Sequence, residues 1–202
     1  RAASVGDSRA RWLVAAVAAC AAGMACKETM ATAPLLVILY DRTFVYGSFA
    51  EAWRQRRTFY LALASTWGLL AALIWSGPRW ESAGFSTGIS PWMYLLNQAI
   101  MLVEYLRRVA WPRTLVLDYG EPQVHAFGSV APHAALVLAL LLVTVWALVK
   151  RPALGFLGAC AFVILAPTSS FIPIATEVGG ERRLYLPLAA LVVLGAGCLA
   201  GL

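Results

Sequence analysis

The chain has 202 residues, of which 61% are apolar and 13% charged, and its mean hydropathy is +0.74. A soluble domain carries about 25% charged residues, so this balance argues against an ordinary water-soluble fold and for a multi-pass bundle of membrane helices. The net charge of +6 then reads as membrane topology. No basic face interleaved with aromatics and no zinc-knuckle spacing points to nucleic acid.

In chain order, the apolar run 12–26 is followed by Lys27-Glu28-Thr29 and by a second run, 30–40. Together they predict a helical hairpin. The second arm has about 11 residues at about 1.5 Å each, too short to span a bilayer of about 30 Å unaided. A crossing is predicted over 59–76, entered from the basic stretch 54–57. Further crossings are predicted over 131–149, which ends at Lys150-Arg151-Pro152, over 153–172, and from 184 to 202.

The segment 92–110 is different. At helical spacing Tyr94, Asn97, Gln98, Met101, Glu104, Tyr105 and Arg108 share one face, while Leu95, Leu96, Ala99, Leu102, Val103, Leu106 and Ala110 cover the other. That pattern predicts an amphipathic helix in the membrane interface, its polar side in water and its apolar side on lipid or on the bundle. The chain opens at Arg1 and closes inside an apolar run, which reads as a piece of something longer.

With 92–110 not crossing, segments 1–11, 41–58 and 150–152 share one side and hold nine of the sixteen Lys and Arg. The other side holds seven of the sixteen and seven of the ten acidic residues. The positive-inside rule places the basic clusters in the cytoplasm. Lys27-Glu28, the amphipathic helix, 112–130 and 177–183 then face outward together.

Charges near membrane segments are functional candidates. Lys27 and Glu28 read either as a snorkelling surface pair or as a cation and a carboxylate held at the membrane face, the lysine suited to a lipid phosphate. Glu177, Glu181, Arg182 and Arg183 read either as a solvated loop or as a substrate grip. Arginine forks match phosphate oxygens, and carboxylates accept sugar hydroxyl hydrogens. Gly179-Gly180 lets that loop turn tightly, and Pro173 and Pro187 restrict its ends. Arg107 and Arg108 read as interfacial anchors, Asp118 as either a turn residue or a substrate contact, and His125 and His133 as isolated loop and interface residues. Cys20, Cys26, Cys160 and Cys198 fall in apolar runs without metal or disulfide spacing. No Gly-rich phosphate loop, Ser-His-Asp order or HExxH motif occurs.

Three pieces carry a resemblance. They are Gly23-Met-Ala-Cys-Lys27-Glu28-Thr with Pro34-Leu-Leu-Val-Ile-Leu-Tyr-Asp41, then Tyr94-Leu-Leu-Asn-Gln98 with Tyr105-Leu-Arg-Arg108, Trp111-Pro112 and Leu115-Val-Leu-Asp118-Tyr119, and last Pro167-Thr-Ser-Ser-Phe-Ile-Pro-Ile with Glu177 and Glu181-Arg-Arg-Leu-Tyr-Leu-Pro187. In order and content they resemble the transmembrane and tetratricopeptide-repeat-containing proteins, over about residues 12–190 and with the last piece the most specific. The resemblance implies an all-α GT-C glycosyltransferase bundle, of which this chain is a part, in a bacterial inner membrane, or the endoplasmic reticulum in eukaryotic relatives. It implies O-mannosyltransferase-like chemistry from a polyprenyl- or dolichyl-phosphate sugar donor to a hydroxyl, on a protein acceptor for example. The family's catalytic acid lies in a first outward loop and its repeats follow the bundle. Neither has a position here, so the catalytic residue is expected upstream of Arg1. By resemblance Lys27 faces the donor phosphate, with Glu28 beside it, and Glu177, Glu181, Arg182 and Arg183 contact donor or acceptor. No metal ligand and no cofactor beyond the lipid-linked donor is assigned. The competing expectations are a transporter or lipid flippase with broken helices around a midplane site, and a non-catalytic anchor for a repeat scaffold.

Overall fold

A computed structural model describes residues 2–76, 90–113, 118–169 and 177–200, with 2–9 described by backbone alone. Pro173, residues 115–117 and the ends of the crossings predicted to reach 172 and 202 lie outside the described residues. The chain is all-helical, and no strand occurs among the described residues. It divides into two units, Arg1–Gly77 and Pro78–Leu202.

In the first unit, α1 (Ala2–Cys26) is followed by a 3-10 turn (Glu28–Thr32), α2 (Ala33–Tyr40), a π turn (Asp41–Tyr46) and α3 (Phe49–Ser76). Lys27 breaks the first helix by adopting extended backbone, φ −152° and ψ 130°. The return is tight: a Cβ at Gly23 would lie 2.8 Å from Met30 Cε. Pro34 at the start of α2 suits a first helical turn, where its missing N–H is no loss. Cys20, Met24 and Leu63 form the core joining α1 to α3, with Val17, Met30, Val37 and Phe59 around them. Trp67 Nε1 donates to Ala31 O at 2.9 Å, which fastens the 3-10 turn to α3.

The arm expected over 30–40 is thus longer than the apolar run suggests. Five 3-10 residues and eight α residues cover about 22 Å at rises of about 2.0 and 1.5 Å, and the π turn carries the helical path on to Tyr46. The path continues through a charged residue because that charge is matched. Asp41, 2% exposed, accepts from Arg56 Nη1 at 3.2 and 3.1 Å and from Tyr60 Oη at 2.6 Å. Arg56 itself has non-helical angles, φ −134° and ψ 21°, so α3 bends there. Gly47, at φ 75°, supplies the left-handed residue that closes the π turn.

In the second unit, α4 (Pro91–Ala110), α5 (Phe127–Lys150), α6 (Pro152–Leu165), a 3-10 turn (Glu181–Arg183) and α7 (Tyr185–Leu199) follow in order. Sequential helices are neighbours, α4 on α5, α5 on α6 and α6 on α7. α5 and α6 fold back on each other about Arg151, with Pro152 opening α6. Their approach is close enough that a Cβ on Gly155 would stand 2.2 Å from Leu148 N and 2.5 Å from Leu148 Cα. Met101, Tyr105, Leu165, Val178 and Leu184 form the core that joins α4 and α6 to the loop before α7. α3 and α5 are each long and apolar enough to cross a membrane.

Two stability predictions follow from these contacts. Gly155→Ala sets a methyl group against backbone that cannot turn aside, so it is expected to destabilise the second unit by at least about 1–3 kcal/mol, as overpacking does, read as a lower unfolding midpoint in detergent. Asp41→Ala leaves Arg56 without its carboxylate. Breaking a buried pair costs about 3–5 kcal/mol, and the lower end is expected because Arg56 keeps 25% of its side chain exposed. A midpoint equal to wild type in either variant would remove the stated contact from the account of the fold.

Candidate functional site

The site in the second unit is built by the polar stripe of α4, and that stripe faces inward. Tyr94, Asn97, Gln98, Met101 and Tyr105 are buried, whereas Trp92 and Leu95 on the opposite side are exposed. This corrects the expectation of a polar side in water. The stripe is covered by two loops, and buried backbone needs partners. The side chains of α4 supply them.

Tyr105 Oη accepts from Gly180 N at 2.9 Å and lies 3.2 Å from Gly180 O, to which it donates. Gln98 Nε2 donates to Val178 O at 2.8 Å, and Tyr94 Oη to Thr168 O at 3.0 Å. Asn97 holds the other loop: its Nδ2 donates to Gln123 O at 2.8 Å and its Oδ1 accepts from Gln123 N at 3.1 Å. The loops also pair with each other, Val178 N to Gly120 O at 2.7 Å and Tyr119 N to Gly179 O at 3.1 Å. Gly179 suits this approach, since a Cβ would stand 2.9 Å from Tyr105 Oη and 3.0 Å from Met101 Cε and would push those side chains aside.

On this platform sits Glu177, 6% exposed. Arg182 Nη2 donates to its Oε2, and Arg183 Nη2 lies 3.4 Å from its Oε1. The two arginines differ in kind. Arg183 is 8% exposed at its side chain and donates to Thr168 O at 3.0 Å and Glu177 O at 3.3 Å, so its fork is spent on the loop. Arg182 is 57% exposed and can turn towards a ligand. Glu181 accepts from Tyr119 Oη at 3.2 Å.

Three buried oxygens in this network accept no hydrogen bond among the described residues: Gln98 Oε1, Ser169 Oγ and Glu177 Oε1. An unpaired buried polar group costs about 1–3 kcal/mol. Of these, Glu177 Oε1 is held by its ion pair with Arg183, and the exposed cation beside that carboxylate is Arg182. No group of three metal-ligating side chains occurs among the described residues.

Of the six residues singled out from the sequence, Glu177, Glu181, Arg182 and Arg183 come together here. Lys27 and Glu28 belong to the first unit, where exposed Lys27 caps the 3-10 turn and Glu28 opens it. Asp118 takes the turn role, its Oδ1 accepting from Gly120 N at 2.8 Å. Arg108, expected as an anchor, pairs with Glu104 at 2.8 Å and donates to Arg113 O, whereas Arg107 is largely exposed. His125 lies in the loop before α5, where its Nε2 is 3.1 Å from Asn97 Oδ1. Tyr94, Asn97, Gln98, Tyr105 and Tyr119 are the side chains of the candidate site that sequence reasoning did not assign to it. The stripe on α4 was the available signal for the first four, whereas Tyr119 lies in the loop after that helix. Neither a family model, a curated protein nor a solved structure matches the chain.

Burial pushes the Tyr105 phenol above its ordinary value, and the bond from Gly180 N–H only partly offsets this. A raised folded value means that the neutral phenol stabilises the loop. That stabilisation is complete below the ordinary tyrosine pKa of about 10 and is lost as pH rises through the folded value. Thermal unfolding in detergent is expected to show a midpoint that falls above pH of about 10, and Tyr105→Phe is expected to flatten that fall. The same variant leaves Gly180 N–H without its acceptor and is expected to cost about 1–3 kcal/mol near neutral pH. An unchanged alkaline slope in Tyr105→Phe would show that another group governs it.

Proposed function

We propose that this chain is a multi-pass membrane domain of a glycosyltransferase that moves a sugar from a polyprenyl- or dolichyl-phosphate donor to a hydroxyl on the extracytoplasmic face. The observation that carries the reading is Glu177. It is a buried carboxylate paired on one oxygen with a loop-bound Arg183 and on the other with an exposed Arg182, which can leave it for a ligand. A phosphate ester asks for a cation that can reorient towards it. A sugar asks for buried acceptors for its hydroxyls. Both are present on one loop, and the resemblance described above gives the pair its chemical context.

Membrane residence is supported by where the apolar side chains lie. In the apolar windows of α3 and α5 only 17% and 6% of residues are buried within the protein, the reverse of a core helix in a soluble domain. An apolar cavity of about 110 Å³ between α4, α5, α6 and α7, with Tyr105, Leu106, Phe162 and Leu191 on its wall, suits part of a lipid tail next to the loop. In the proposed reaction Arg182 holds donor phosphate, and Glu177 and Gln98 lie beside it to accept hydroxyls.

Arg182→Ala in the full-length protein, assayed in proteoliposomes with a polyprenyl-phosphate sugar, is expected to lower transfer about a hundredfold, as loss of one charge-stabilising donor does. It is expected to leave the unfolding midpoint near wild type. Arg183→Ala is expected to lower the midpoint as well. Normal transfer by both Arg182→Ala and Lys27→Ala would count against sugar transfer at these residues.

A further inference from the structure

The elbow between α2 and the apolar part of α3 is built from residues that the candidate site does not use. α2 runs straight into the π turn, Gly47 turns the chain at φ 75°, and the first turns of α3 lead to the bend at Arg56. Asp41, Arg56 and Tyr60 tie the end of one apolar helix to the start of the other. Two apolar segments that begin and end at one tied point put that point at a single water–lipid boundary.

The surface there has the composition such a boundary selects. Tyr40, Phe44, Val45, Phe49 and Trp53 each keep about half of their surface exposed. Arg42 stands over the Phe49 ring at 5.6 Å, and Trp53 stacks on Tyr60 with centroids 6.2 Å apart. The two carboxylates are engaged, Asp41 with Arg56 and Glu51 with Arg54 at 2.8 Å and Gln55 at 2.7 Å. Residues 41–57 contain four arginines against those two acids, a net charge of +2.

We propose that the elbow, residues 40–57, is a docking surface for anionic phospholipid headgroups. The aromatic rings sit at the boundary between headgroups and acyl chains, and Arg42 and Arg57 face the lipid phosphates. The clasp at Asp41 does two jobs at once. It removes the one buried acid that would repel an anionic lipid, and it fixes the bend that lays residues 49–55 along the surface. This role requires membrane residence but not sugar transfer, so each can fail alone.

The test uses the full chain in nanodiscs of phosphatidylcholine and phosphatidylglycerol, with spin-labelled forms of both lipids reporting which one the protein holds. Wild type is expected to prefer phosphatidylglycerol, less so at high salt. Arg42→Gln with Arg57→Gln is expected to lower that preference about fivefold per arginine, and Arg57→Gln alone about fivefold. The Lys replacements are expected to keep it. Phe49→Ser with Trp53→Ser is expected to open Arg54 to trypsin in the same nanodiscs. An equal hold on both lipids in wild type overturns the proposal, as does an undiminished preference in the Gln variants. Disulfide cross-linking of Phe49→Cys between two copies would assign the surface to self-association and overturn it too.

Discussion

Everything in the second unit that can meet a ligand depends on one constraint: the backbone of two loops is hydrogen-bonded to side chains of α4. Gly180, Val178, Thr168 and Gln123 have their main-chain partners in Tyr105, Gln98, Tyr94 and Asn97. Without those partners the loops would bury bare N–H and C=O groups. Glu177 and Arg183 would then have no fixed place from which to act. The helix serves as a template whose polar side chains replace the neighbouring strand that a loop in a sheet would have.

That dependence explains the asymmetry between the two adjacent arginines. One consecutive pair in sequence becomes a structural residue and an available one because the 3-10 turn at Glu181–Arg183 points successive side chains in different directions. Arg183 meets the carbonyl oxygens of Thr168 and Glu177, the first shared with Tyr94. Among the described residues Arg182 pairs with Glu177, and its own side chain is 57% exposed, so it is the arginine that can exchange partners.

The helical class, the break at Lys27 and the amphipathic character of 92–110 were legible because they rest on composition and periodicity, which act locally. The direction of the α4 stripe was not. Amphipathicity says that two faces differ, and only the partner decides which one turns inward; here the partner is a pair of loops, one directly after α4 and one about 75 residues on. The Asp41 clasp was hidden for the same reason. Asp41-Arg42-Thr43 reads as the start of a loop until Arg56 and Tyr60, 15 and 19 residues on, neutralise the acid. Grouping Glu177 with Arg182 and Arg183 needed no tertiary information, since charged residues so close in one short loop meet anyway.

The glycine contact between α5 and α6 bears on how such a chain is made. With 14 residues, α6 reaches about 21 Å at about 1.5 Å per residue, short of a hydrocarbon layer of about 30 Å. It is poorly suited to partition into lipid by itself during synthesis. Under the proposed membrane residence, α6 would enter as the trailing arm of a pair with α5, whose close approach depends on a residue with no side chain.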